Sequence, residues 1–125
     1  MRQAIQLTDT ITKLGPEAPG TVVVAGSHGG RYCGYLTAKG GLRGVILNDA
    51  GVGKDNAGVG SLEYLQPLGV PAATVANSSA RIGDAADMLA RGVISHCNDV
   101  AAALGCGAGQ RCGDAAEAMR GGEPF

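Results

Sequence analysis
Both histidines of the chain stand in short polar stretches that follow apolar runs: His28 in GSHGG after TVVVA, and His96 in SHCN after GVI. An imidazole titrates near neutrality, so His28 is suited to pass a proton or donate to an anion, and Asp49 would orient it if their loops adjoin. His28, Asp49 and His96 form the expected catalytic set. The groups expected to hold a substrate are Ser27, Gly29 and Gly30 beside His28, Asn48 and Asp55 in NDAGVGKDN, Ser78, Ser79 and Arg81 in NSSARIGD, and Asn98 after His96. Arg81 next to two hydroxyls at a helix start suits a carboxylate or phosphate, through its planar fork plus backbone donors. Each residue also has a plainer role: Ser and Asn cap helices, Asp closes turns, and Arg81 pairs with Asp84. Their convergence is what favours a small-molecule site.

Other chemistries fit less well. Adjacent Ser27 and His28 point apart and GSHGG is not GxSxG, which disfavours a covalent Ser–His–Asp triad. GVGKD lacks the full GxxxxGK[ST] spacing and GSHGG is not GxGxxG, so no nucleotide or other cofactor is expected. Cys33, Cys97, Cys106 and Cys112 contain no paired CxxC, which suits reduced, buried thiols and no metal.

The elements that must position these groups alternate. Residues 20–30 form the organising stretch: 21–25 is a β-branched apolar run of the kind buried on both faces, emptying into glycines at a helix start. Before it, residues 4–12 read as an edge or half-exposed strand, closed by Gly15-Pro16 and Pro19-Gly20. After it, a helix is predicted over 31–39 with a stop at Gly40-Gly41, and Gly34 there permits close packing on the sheet. Strands follow at 44–47, 72–76 and 93–94, with helices over 57–68, 83–90 and from an Asn98 cap. Ser78 or Ser79 is expected to cap the helix over 83–90. Beyond about residue 106 the chain reads as a looser tail with one helix over 114–119, and GGEPF as a mobile end.

This alternation implies βαβ units, a mostly parallel sheet and helices on both faces: a single α/β domain over residues 1–125, a Rossmann-like or flavodoxin-like three-layer sandwich. A swivelling β/β/α arrangement is the alternative. In a parallel sheet the loops after the strands meet at one edge, so His28, Asp49, Arg81 and His96 are expected to face a shared cleft.

With 45% hydrophobic but 3% aromatic residues, the core must be aliphatic. A formal net charge of −1 without basic clusters argues against nucleic acid. No apolar run is long enough to cross a bilayer and the first residues form no secretory core, which points to the cytoplasm and no membrane partner. Few charges and Val/Leu-rich amphipathic helices on a small sheet imply a homo-oligomer.

The phrases VVVAGSHGG, GVILNDAGVGKDNAG, GVPAATV, SARIGDAADM and RGVISHCN resemble those of a group of small bacterial α/β proteins, and the resemblance extends over nearly all of the chain. That resemblance implies no particular activity. From the residues, the expected function is an enzyme, a hydrolase or lyase, acting on a small polar or anionic metabolite at the carboxyl ends of the strands. A non-catalytic ligand sensor or an accessory subunit of a partner enzyme is the alternative.

Overall fold
In the computed structural model, which describes residues 5–121, five strands form one sheet with spatial order the same as chain order. The strands are β1 (Ile5–Thr8), β2 (Val22–His28), β3 (Gly44–Asn48), β4 (Ala72–Val75) and β5 (Ile94–Cys97). β1 to β4 are mutually parallel, and β5 pairs antiparallel with β4. The sheet therefore lacks the reversal of strand order that marks the switch point of doubly wound sheets. One sheet lies between two helical layers, so the β/β/α alternative does not apply.

The alternation of side chains along each strand explains both layers. Val23, Ala25, Val45 and Leu47 face one way, toward α1 (Arg31–Lys39) and α2 (Gly60–Leu65). Val22, Val24, Ile46 and Val75 face the other way, toward α3 (Ala85–Arg91) and α5 (Cys112–Gly121). α4 (Asp99–Ala103) buries Ala101 in the same second cluster. The largest fully buried side chains are aliphatic or methionine, as the aromatic-poor composition requires. No helix among the described residues is long and apolar enough to cross a membrane.

Several boundaries differ from the sequence reading. β2 runs on through Gly26 and Ser27 to His28, so the first glycine and both polar residues belong to the strand. Gly34 packs on a helix, not on the sheet: a Cβ there would stand 3.1 Å from the Ser61 Cα of α2. The helix expected over 57–68 is divided into a 3-10 turn, Lys54–Val59, and α2. Asp84 is the N-cap of α3, accepting the Asp87 N–H at 2.9 Å, in place of Ser78 or Ser79. The start of the strand expected at residue 4 and the GGEPF end lie largely outside the described residues.

The antiparallel β5 has a local cause. After β4 the loop crosses to the far strands, where Gly83 N–H meets the Gly26 carbonyl and Ala85 N–H meets the Asp9 carboxylate. The chain then returns to Val93, whose carbonyl accepts from Ala76 N–H at 2.8 Å, immediately beyond β4. It re-enters the sheet at the edge it left, so β5 must run backwards.

Candidate functional site
Because α1 and α2 cover the first face only as far as β4, that face stays open beside β5. His96 pairs in register with Thr74 and so points to the α1/α2 side. There a cavity of about 590 Å³ takes in His28, Gly30 and Arg31 from the β2–α1 junction, and Asn56 and Val59 from the 3-10 turn. Leu62 and Glu63 of α2 form a wall, and His96 and Cys97 of β5 close the other side. The two histidines thus line one cavity although their strands run in opposite directions. His96 arrives through the face its side chain occupies, not through the loop after its strand.

Each ring is held by its Nδ1. The Gly30 N–H donates to His28 Nδ1 at 2.9 Å. A Cβ at Gly30 would sit 2.4 Å from His28 Cε1, so only glycine lets the imidazole fold over this turn. His96 Nδ1 lies 3.2 Å from Ser95 Oγ, which in turn lies 3.0 Å from Thr74 Oγ1 and donates to the Thr74 carbonyl at 3.3 Å. Arg31 stands at the first position of α1 with its guanidinium over the Tyr64 ring, 5.3 Å from the centroid, and makes no ion pair with a described residue. Glu63 supplies a carboxylate to the same cavity.

The loop between β3 and α2 carries five residues with left-handed φ: Ala50, Gly51, Val52, Gly53 and Asn56. Its N–H groups bond within the loop, Ala50 to Asn48 Oδ1, Gly51 to Asp49 Oδ1 and Gly58 to the Val52 carbonyl. It is a self-satisfied turn that presses Gly58 against Gly29, where a Cβ would meet the Gly58 oxygen at 2.4 Å. Glycine at 29 is a packing requirement that brings the 3-10 turn onto β2.

The remaining expected site residues are placed elsewhere. Asp49 is buried and does not orient His28; its Oδ1 accepts from Gly51 and Asn77. Asn48, fully buried, bridges Ala50 N–H and the Ala80 carbonyl. Ser27 Oγ accepts the Ile11 N–H at 2.9 Å and ties the β1–β2 connection. Ser79 Oγ links the Ala76 carbonyl to the Val93 N–H, while Ser78 is exposed and lies outside the cavity lining. Arg81 is exposed, and its backbone N–H, not its guanidinium, joins Asp87, whose carboxyl is held down at about 2, chiefly by the Arg91 hydrogen bond. No Arg81–Asp84 ion pair forms among the described residues. Asp55 has a described backbone only.

Asn98 departs furthest from expectation. The reversal of β5 carries it to the amino edge of the sheet, where Oδ1 accepts from Ala72 and Ala101 and Nδ2 donates to the Val70 and Leu62 carbonyls. All four hydrogen-bonding positions of its amide are filled, so it is a structural rivet and the cap of α4.

Arg31, Asn56 and Glu63 line the cavity without having been singled out in the sequence, and Cys97, expected as a buried thiol, is part-exposed and lines it too. Arg31 carried a signal: a cation at the first position of a helix opposes the macrodipole, and no acidic residue in that first turn offsets it. Among the described residues no group of three or more His, Cys, Asp or Glu could hold a metal ion.

Fold and cavity define a single-domain α/β protein with a mostly parallel sheet and a two-histidine pocket beside its antiparallel edge. Compared with protein-family models, curated proteins and solved structures, the chain matches none.

Proposed function
We propose that the protein binds a small polar or anionic metabolite in the cavity between α2 and β5 and acts on it as a cytoplasmic enzyme, a hydrolase or lyase. The observation that carries this reading is the meeting of His28 and His96 in one cavity beside an Arg31 guanidinium that no described carboxylate neutralises. Arg31 supplies charge and the histidines supply proton transfer; Asp49 and Arg81 belong to the supporting loops. Four free thiols suit a reducing compartment.

The test is calorimetric titration with a panel of small anions, including acetate, pyruvate, malate and phosphate. Arg31→Ala should weaken binding about tenfold or more, as expected for loss of a charge-assisted pair. The melting temperature should stay near that of the parent. Arg81→Ala should leave affinity unchanged, and the opposite pattern would move the site to the β4–α3 loop.

The second reading, a non-catalytic sensor or accessory subunit, draws support from α1, where Tyr32 is 65% exposed and stacks on Tyr35. Two exposed rings on the helix that bears Arg31 form a surface suited to protein contact. The same rings, with exposed Leu7 and Leu68, support a homo-oligomer. Saturable binding without turnover of any panel member would favour this reading, and light scattering reads the oligomeric state.

A further inference from the structure
The contacts at the two Nδ1 atoms suit opposite tautomers of the two imidazoles. A backbone N–H can only donate, so His28 Nδ1, which receives the Gly30 N–H, is unprotonated and the neutral ring carries its proton on Nε2. At His96 the logic runs the other way. All three contacts of Ser95 Oγ are made at once when its one hydroxyl proton is on the Thr74 carbonyl, which can only accept. The other two contacts of Ser95 Oγ must then be donated to it, one by Thr74 Oγ1 and one by His96 Nδ1. In that arrangement His96 carries its proton on Nδ1 and offers a lone pair at Nε2. Neither Nε2 has a hydrogen-bond partner among the described residues.

From this we infer that the cavity is built for proton abstraction beside a carbonyl, with His96 Nε2 as base, His28 Nε2–H as the neutral donor to the carbonyl oxygen, and a small 2-oxo acid as the class of substrate. The inference rests on the binding reading above and names its chemistry. A base and a donor lining one cavity are the two groups that enolisation of an H–C–C=O unit requires, and a neutral imidazole is a competent electrophile for such an oxygen. Arg31, its guanidinium over the Tyr64 ring, provides the cation for the adjacent carboxylate.

The step balances without a co-reactant. His96 Nε2 takes the proton from the carbon next to the carbonyl. The C–H electron pair forms the C=C bond, and the carbonyl π pair moves to oxygen, where the His28 Nε2–H hydrogen bond holds the enolate. His96, now an imidazolium donating from Nδ1 to Ser95 Oγ, returns the proton, or a solvent deuteron exchanged onto it, to carbon. Where the next carbon bears a leaving group, the enolate oxygen pair instead re-forms the carbonyl, the C=C pair shifts to the next C–C bond, and the group departs with its bonding pair and the proton held by His96, an elimination that is the lyase branch of the proposed function.

The test has two arms on the full chain. Long-range proton–nitrogen correlation spectra of the neutral rings should show the Nε2–H form for His28 and the Nδ1–H form for His96, with Ser95→Ala releasing His96 into a mixture. Pyruvate in deuterated buffer should then lose its methyl protons faster with the protein than without it. His96→Gln should reduce that exchange about a hundredfold and His28→Gln by a similar factor, the usual weight of a positioned acid or base. The inference is overturned by the reverse tautomers, or by exchange that persists in His96→Gln. Pyruvate-induced shifts at His28 and His96 without methyl exchange overturn it while leaving the binding site standing, and absence of both shifts and exchange, together with no binding of any panel anion, removes the site as well.

Discussion

Asp49 joins the β3 loop to Asn77 of the β4 loop: its Oδ1 accepts the Asn77 N–H at 2.9 Å while also accepting the Gly51 N–H at 2.7 Å. With 4% of its surface exposed, this carboxylate is a clamp between neighbouring loops, not a partner for His28. Asp49→Ala leaves two backbone donors without an acceptor and should lower stability by about 1.5–3 kcal/mol, the range for hydrogen bonds to charged groups. Asp49→Asn keeps the Oδ1 acceptor and should recover most of that loss. Denaturant unfolding measures both. A catalytic Asp49 would give the reverse result, with Asp49→Asn stable but inactive.

Most of the architecture was legible in the sequence because local rules and global fold agree there. The run at 21–25 is buried on both faces, helix α1 falls at Arg31–Lys39 as predicted, and Asn98 caps α4. What could not be read is the direction of β5, which depends on Val93 returning to Ala76 after a loop that crosses the sheet. That long-range step decided the site. It sent Asn98 to the opposite edge, yet left His96 on the open face, so of the four residues expected in one cleft His28 and His96 line a cavity, by a different route, while Asp49 and Arg81 lie outside it. Asp49, Ser79 and Arg81 were placed in the right loops, but which groups a loop keeps for its own backbone depends on hydrogen bonds between loops that spacing does not encode.

Ser61 presents the opposite case to Asp49. It is fully buried in α2 against Gly34 of α1, and its Oγ has no hydrogen-bond partner among the described residues. A desolvated hydroxyl without a partner costs free energy, so Ser61→Ala should leave stability unchanged or raise it by up to about 1 kcal/mol. Urea midpoints decide the matter. A loss beyond about 1 kcal/mol would mean that the hydroxyl is satisfied, by a bound water for instance.

The four thiols should separate by reactivity, since the thiolate is the nucleophile and burial suppresses it. Burial pushes Cys112 up to about 12 and Cys106 up to about 11. Cys33 is also raised by burial, against hydrogen bonds from Ser27 and Gly30. Cys97 is raised by partial burial and by the Asp99 charge, but it lies at the cavity and is the one thiol of the four that is not fully buried. Alkylation of the native protein near pH 8 should therefore modify Cys97 first and Cys112 last, with all four reacting after denaturation. The same shifts fix a pH dependence of stability. Below pH 9.0, the ordinary thiol value, Cys112 is protonated in both folded and unfolded chains and its contribution is fully present. As pH rises toward about 12, the unfolded chain releases a proton that the folded chain retains, so stability must fall across that interval. Denaturant midpoints at pH 8 and pH 10 should show the decline, and Cys112→Ala should reduce its slope. Labelling of native Cys112 as fast as Cys97 would show that α5 does not seal the second helical layer as the packing requires.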